Sequence, residues 1–248
     1  MPNTINITSE DIVVQIKLSC KIPEIVEQIV NHHIIDKTAR ELGVKVEVEE
    51  LQKAADQLRL ANKLTSADDT WMWLNKHNLS LEEFEKMVYT SLISGKLAAH
   101  LFADKVEPYF FEHQLDYTTV AMYEVILDDE DLAWELFYSI KENEMSFHDV
   151  AHKYIQDKEL RRSGGYRGIL KRKDLKPEIS AAVFASHPPQ ILKPILGSQG
   201  LHLIFVEEIM QPELNENFRF KIILELFTEW LKQQYLQVEF ALNLNEAI

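Results

Sequence analysis

The sequence is poor in several residues that common protein chemistries require. It contains one cysteine, Cys20, so no disulfide can form within the chain. Its 26 lysines and arginines are outnumbered by 40 acidic residues, which gives a formal net charge of -14. Nucleic-acid binding is therefore not expected, because it requires concentrated positive charge. No apolar run approaches the length of a membrane span, so no span is expected either.

The first residues also lack the basic and apolar regions of a secretory signal, and this predicts a cytoplasmic location. No metal or nucleotide motif occurs, so neither a metal nor another cofactor is predicted. His148 and His152 have the spacing of a helical metal-ligand pair. The apolar residues around them lie on the opposite side of the same predicted helix, which favours two solvated histidines over a metal site.

Glycine is scarce and unevenly placed. The chain has seven glycines, and residues 1–115 contain only Gly43 and Gly95. The others lie between Gly164 and Gly200, where they favour turns and close backbone contacts. This contrast predicts a helical first half and a turn-rich second part. The predicted domains are residues 1–115, which are helical, residues 116–211, and residues 212–248, a C-terminal helix that packs on the helical domain.

Periodicity and capping residues set the predicted elements. Ser80-Leu-Glu-Glu83 is a capping box, in which serine and glutamate side chains satisfy free backbone amides at a helix start. The predicted helices cover residues 23–42, 47–62, 66–76, 132–141, 177–184 and 217–240, with others starting after Ser80 and Ser146. The predicted strands cover residues 118–127, 191–196 and 201–209.

Three motifs follow one another between Phe147 and Ile204. They are Phe-His-Asp-Val-Ala-His-Lys-Tyr-Ile-Gln-Asp (147–157), Gly-Gly-Tyr-Arg-Gly (164–168) and Gly-Leu-His-Leu-Ile (200–204). Together they resemble the parvulin family of peptidyl-prolyl isomerases. The resemblance implies an α+β fold with a small antiparallel sheet flanked by helices. The surrounding helices resemble a mostly α-helical SurA-like chaperone domain, completed by the C-terminal helix.

The resemblance also implies a set of site residues. Asp157 stands where the family carries a catalytically implicated aspartate or cysteine, and His202 stands at the second family histidine. Ser198 lies in the region where a hydroxyl supports that histidine. The apolar cup for the proline ring falls on Leu175, Ile179 and Phe184.

The chain departs from the family pattern at two places. Val125-Ile126-Leu127 stands where the family has His-Ile-Leu, so Val125 replaces the first histidine and is placed among the substrate-binding residues. Tyr123 is two residues away on the same strand face, and its hydroxyl is a candidate to replace that histidine in catalysis. Tyr166-Arg167 replaces the Asp-Leu of the glycine motif.

The function implied by the resemblance is a peptidyl-prolyl cis-trans isomerase, or foldase, for X-Pro bonds of unfolded or export-bound polypeptides. Replacement of the first histidine by Val125 predicts weak activity. The alternative is a non-enzymatic peptide-binding chaperone or adaptor with a degenerate pocket. Trp71 and Trp73 are either core residues or a peptide-binding patch. The basic run from Arg161 to Lys173 is either a solvated loop or a contact for an acidic residue before the proline. No oligomeric state is predicted.

Overall fold

The chain forms two compact units. A computed structural model describes residues 5–244. The first unit consists of the residues up to Val106 and those from Glu216 onward, and the second consists of Glu107–Asn215. The observed division after Val106 falls before the predicted boundary at residue 115, because the short helices that follow Val106 pack with the second unit. Among residues 5–244, no helix is long and apolar enough to cross a membrane.

The first unit is helical. Its helices are α1 Ser9–Leu18, α2 Ile22–Glu41, α3 Val48–Ala61, α4 Ala67–His77, α5 Leu81–Phe102 and α12 Glu216–Tyr235. One core cluster joins α2, α5 and α12 through Ile35, Leu97 and Phe227. The Phe102 and Phe227 rings meet edge to face, with their centroids 6.4 Å apart. The helix after residue 215 is therefore part of the core built by the first half of the chain.

A second cluster of the same unit joins α3, α4 and α5. Leu74, Phe84 and Val88 are buried there, with apolar residues of α3 packed against them. The start of α5 is fixed by the predicted capping box: Ser80 N–H donates to Glu83 Oε2 at 2.8 Å, and Glu83 N–H donates to Ser80 Oγ at 3.2 Å. The hydrogen bonds that the Glu83 carboxylate accepts from the backbone and side chain of Ser80 hold its pKa below its usual value.

The second unit combines a five-stranded sheet with helices. Its elements are α6 Val106–Glu112, which starts at the boundary, α7 Gln114–Tyr117, β1 Thr119–Leu127, α8 Glu130–Lys141, α9 Phe147–Tyr154, α10 Lys158–Arg162, β2 Tyr166–Lys171, α11 Pro177–Phe184, β3 Gln190–Ile191, β4 Ile195–Gly197 and β5 Gly200–Met210. The strand order is β2-β1-β5-β3, and β4 also pairs with β5. All of these pairs are antiparallel. Two sequence predictions needed adjustment: the glycine motif continues into a strand, β2, and residues 191–196 contain two short strands rather than one.

The two faces of the sheet bury different sets of side chains, because successive strand residues point to opposite sides. On the first face, here the α8–α9 face, the buried strand residues are Val125, Leu127, Leu201 and Leu203, which pack against Leu136 and Val150. On the second face, here the α11 face, they are Val120, Met122, Ile204 and Val206, which pack against Ile179 and Val183. Residues of even number in β1, and in β5 as far as Val206, therefore belong to the α11 face.

Candidate active site

Glu124 and His202 form a buried polar pair on the α11 face. They are 7% and 3% exposed. Glu124 lies opposite Ile204 and His202 lies opposite Ile126, so the two side chains are diagonal neighbours on adjacent strands. His202 Nδ1 is 2.7 Å from Glu124 Oε1. Because a carboxylate only accepts, Nδ1 carries the proton and donates it. The glutamate therefore fixes both the orientation and the tautomer of the imidazole.

Arg167 completes the pair from the neighbouring strand. Its Nε lies 3.3 Å from Glu124 Oε2, so the two carboxylate oxygens serve two different partners. The Arg167 side chain is 46% exposed, whereas that of His202 is 3% exposed. The Glu124 carboxylate thus links a partly exposed guanidinium to a buried imidazole. A buried carboxylate needs such partners, because an isolated charge in an apolar setting is strongly disfavoured.

The double glycine explains how β2 reaches this position. Glu124 N–H donates to the Gly165 carbonyl at 2.9 Å. Gly165 has φ of +86°, and a Cβ atom there would lie 2.9 Å from the Glu124 carbonyl oxygen. Only glycine fits this left-handed conformation and this close approach. The glycine therefore lets β2 pair closely with β1, and Arg167 follows it by two residues.

The second ring nitrogen of His202 lies against the β4–β5 hairpin. A Cβ atom on Gly197 would lie 2.4 Å from His202 Nε2, so glycine at this position makes room for the imidazole. Nε2 is buried and has no hydrogen-bond partner among the described residues. Buried polar atoms are normally paired. Nε2 is thus a polar atom of the site that a bound molecule can satisfy.

The three predicted cup residues come together on the same sheet face as His202. Ile179 is 4% exposed and belongs to the core, while Leu175 and Phe184 are partly buried and pack against that core. The guanidinium carbon of Arg172 lies 4.4 Å from the centroid of the Phe184 ring. The apolar surface left for a ligand is therefore provided by Leu175 and Phe184, with Ile179 beneath them.

Val125 and Tyr123 lie on the opposite face, so their predicted site roles are wrong. Val125 is buried in the cluster of the α8–α9 face. The Tyr123 ring packs at an angle against Phe147, Tyr166 and Phe205 on that face, with centroid distances of 6.1, 5.1 and 6.1 Å. Burial raises the pKa of the Tyr123 hydroxyl, and its hydrogen bond to the Glu207 carboxylate raises it further. Neither side chain can contact a ligand held at His202.

The position that faces His202 is therefore Glu124, one residue before the predicted one. A shift of one residue in a strand exchanges the two faces. The sequence did contain a signal for this position, because Glu124 is the only charged residue in the strand TVAMYEVIL. Charged residues are rarely buried unless they are paired. A lone glutamate inside an apolar strand thus predicts a buried partner.

Ser198 and Asp157 make other contacts than those predicted. The Ser198 hydroxyl is exposed and accepts from Lys176 Nζ at 2.5 Å, so it does not support His202. Asp157 is exposed and caps α10, accepting from the N–H groups of Glu159 and Leu160 at 3.0 and 2.7 Å. Its hydrogen bonds are thus within its own helix start, and its catalytic role stays a prediction.

Two cavities are lined by residues other than the polar pair and the three cup residues. One, of about 1100 Å³, surrounds the β3 edge of the sheet, and its lining includes Phe137, Met145, Phe147, Ile191, Pro194 and Leu196. It contains none of the predicted catalytic residues. The other, of about 480 Å³, lies in the helical unit and is lined partly by Val48, Trp71 and Leu81. Trp71 is 54% exposed there, whereas Trp73 packs against the Phe84 cluster.

The fold and the site define a class of protein: an α+β domain with a buried histidine beside an apolar cup, of parvulin type. Comparison with known families agrees. Residues 128–208 match the family model described as Rotamase, a PPIC-type PPIASE domain. This part of the chain is therefore similar to that family. The match begins after Leu127, so it does not align Glu124 with any position of the family model. The place of Glu124 beside His202 is known from the structure.

Two curated relatives carry the name foldase protein PrsA. The protein of Halalkalibacterium halodurans is 21% identical over 192 residues, which cover 74% of this chain and 57% of that protein. The protein of Oceanobacillus iheyensis is 24% identical over 132 residues, which cover 53% of this chain and 44% of that protein. The chain thus spans about half the length of these relatives.

Among solved structures, peptidylprolyl isomerase (PrsA) from Bacillus cereus is similar over 96% of this chain and 91% of its own, with a TM-score of 0.51 and 16% identity. At that identity the likeness concerns the fold alone. The predicted two-part α+β architecture, a parvulin-type domain with a small antiparallel sheet and a mostly helical part, is confirmed.

Proposed function

We propose that the protein is a peptidyl-prolyl cis-trans isomerase and foldase that acts on X-Pro bonds of unfolded polypeptides. The observation that carries this proposal is the buried Glu124–His202 pair on the same sheet face as Leu175 and Phe184. The pair lies in a unit whose residues 128–208 match the family model of the PPIC-type rotamase domain. The names of the curated relatives, which include the word foldase, support the same activity.

The apolar surface lowers the barrier to rotation about the X-Pro bond. Rotation about an X-Pro bond is slow because amide resonance imposes a barrier of about 18–20 kcal/mol, although the two isomers differ by only about 0.5–1 kcal/mol. The planar amide is more dipolar than the twisted one, since resonance separates charge. Leu175 and Phe184 bind the proline ring away from water, which disfavours the dipolar planar state relative to the twisted state.

The polar pair acts on the amide itself. Glu124 holds the imidazole with Nδ1 protonated, and Nε2 is left without a protein partner among the described residues. A substrate amide group bonded to Nε2 satisfies this buried atom. Because Glu124 and Arg167 fix the ring before the substrate arrives, little reorganisation is needed during rotation. Bond rotation breaks no covalent bond, so positioned dipoles and an apolar surface suffice.

The test is the rate of cis-trans exchange of a proline tetrapeptide, measured by NMR without an auxiliary protease. We expect the protein to accelerate exchange and His202→Ala to lower kcat/KM about tenfold, equivalent to about 1.4 kcal/mol of transition-state stabilisation. His152→Ala is the matched control, because His152 is exposed on α9. Exchange no faster than the uncatalysed rate would leave the non-enzymatic chaperone as the function.

The partners remain proposals of the same kind. We infer that unfolded or export-bound polypeptides containing proline are the clients, and that the groove beside Trp71 in the helical unit holds their apolar segments. A change in tryptophan emission when an unfolded client is added, lost in Trp71→Phe, tests this groove. A cytoplasmic location stays a prediction, and fractionation of the source cells tests it.

A further inference from the structure

The segment from the end of α10 to the start of α11 concentrates positive charge in an acidic protein. Residues 161–176 contain seven lysines and arginines and one acidic residue, Asp174, whereas the whole chain has 26 basic and 40 acidic residues. Such a local excess attracts anions, provided that its charges are not neutralised by neighbours. The contacts of the individual lysines and arginines show which parts of the protein they lie against.

Three of these cations contact residues at or near the candidate site. Arg172 lies over the Phe184 ring at 4.4 Å. Lys176 donates to Ser198, in the turn that precedes His202. Arg167 pairs with Glu124, which binds His202. The three side chains come from different positions along residues 166–176 and each contacts a different element. Arg167 and Arg172 thus contact residues of the polar pair and the apolar cup, whereas Lys176 contacts the exposed turn before β5.

Of the three, Arg167 is tied directly to the polar pair. Its Nε is used by Glu124, which holds the guanidinium in place. The side chain remains about half exposed, and a guanidinium has further N–H donors beyond Nε, directed away from that bond. Arginine presents these donors in a fixed planar fork that suits a carboxylate. A held but accessible guanidinium beside the reacting amide is suited to recognise an anionic group on the substrate.

We propose that Arg167 is a specificity-determining residue that binds the carboxylate of an acidic residue immediately before the substrate proline. This inference rests on the proposed isomerase function and names its substrate class. Arg172 and Lys176 add positive potential around the same carboxylate. Glutamate-proline and aspartate-proline sequences are therefore the preferred sites of action.

The experiment compares three tetrapeptides that differ only before the proline, with glutamate, glutamine or lysine at that position. We expect kcat/KM to be about fivefold higher for the glutamate peptide than for the glutamine peptide, the effect of about 1 kcal/mol at the upper end for an exposed ion pair. The lysine peptide is the poorest of the three. In Arg167→Gln the glutamate-to-glutamine ratio falls to near one. Because the ratio is taken within one variant, partial unfolding cancels.

Two controls separate this role from a merely structural one. Arg162→Gln removes the same charge from the exposed end of α10 and keeps the ratio of the wild type. Raising the ionic strength to 1 M, where the Debye length is about 3 Å, lowers the wild-type ratio toward one. Equal rates for the glutamate and glutamine peptides in the wild type would overturn the proposal while leaving the isomerase intact.

If the protein accelerates isomerisation of none of the peptides, the proposed isomerase activity is contradicted. The preference for an acidic residue is then measured from peptide binding. Dissociation constants of the same peptides, obtained from NMR titration of the full chain, are expected to keep the fivefold preference for glutamate and to lose it in Arg167→Gln. Indifference of these constants to the residue before proline overturns the Arg167 assignment.

Discussion

The two faces of the five-stranded sheet are built from alternate residues of the same strands, yet they serve different purposes. The α8–α9 face is apolar along its buried length, with Val125, Leu127 and Leu203 in one cluster. The α11 face begins in the same way, with Met122 and Val206, but then places Glu124 and His202 side by side. One face only stabilises the unit, whereas the other also holds a polar pair whose remaining nitrogen has no protein partner in the described range.

This comparison shows how little separates a core residue from a site residue in a strand. Neighbouring residues of β1 point to opposite faces of the sheet, so their side chains have entirely different surroundings. A histidine, a tyrosine hydroxyl or a glutamate acts in the site only from an even-numbered position of β1. Three substitutions test this difference, in order of decreasing effect.

The largest effect is expected from placing histidine on the wrong face. Val125→His puts a polar ring among Leu136, Val150 and Leu203, whose side chains cannot hydrogen-bond to it. We expect the free energy of unfolding to fall by about 2–4 kcal/mol, from overpacking and an unsatisfied polar group. Chemical denaturation of the full chain measures this. Glu124→His is the matched variant, and its loss is expected to be about 1 kcal/mol. Equal losses in both variants would contradict the assignment of the faces.

A smaller effect is expected from filling the space beside His202. Gly197→Ala places a methyl group 2.4 Å from His202 Nε2, so the ring must move and its hydrogen bond to Glu124 is weakened. We expect a loss of about 1–2 kcal/mol in stability and a marked loss of isomerase activity. Gly95→Ala is the control, because nothing lies within 4 Å of its added methyl group. In the middle of α5 it should gain about 0.5–1 kcal/mol. Unchanged activity in Gly197→Ala would show that the ring position does not matter.

The smallest effect is expected from Tyr123→Phe, which lies on the face away from the site. Its kcat/KM should stay within about twofold of the wild type, and its stability at neutral pH should fall by at most about 1 kcal/mol for the lost bond to Glu207.

The effect of Tyr123→Phe on stability should change with pH, and the direction of this change follows from the raised pKa of Tyr123. A hydroxyl whose folded-state pKa is raised contributes stability that is complete below its unfolded value of about 10 and is lost as the pH rises through the folded value. The difference in unfolding free energy between wild type and Tyr123→Phe should therefore shrink above about pH 10. A large fall in activity in this variant would place Tyr123 in the mechanism after all.

Much of the fold followed from local patterns in the sequence. The capping box at Ser80 fixed the start of α5, and Pro177 marked the start of α11, because both signals depend only on neighbouring residues. His202, Leu175 and Phe184 were placed by motif, and the structure brings them to one face. Glu124 was missed because its significance depends on a partner in another strand, 78 residues away. Strand register decides such contacts, and a single strand does not specify its own register.

The discontinuity of the helical unit has a consequence for synthesis at the ribosome. Its core needs Phe227 of α12, which follows the whole of Glu107–Asn215 in the chain. The sheet unit is therefore complete and free to fold while α2 and α5 still lack their third helix. Their apolar surfaces around Ile35 and Leu97 stay uncovered until translation passes α12. A nascent chain of this protein thus exposes, for a time, the kind of uncovered apolar surface that foldases bind.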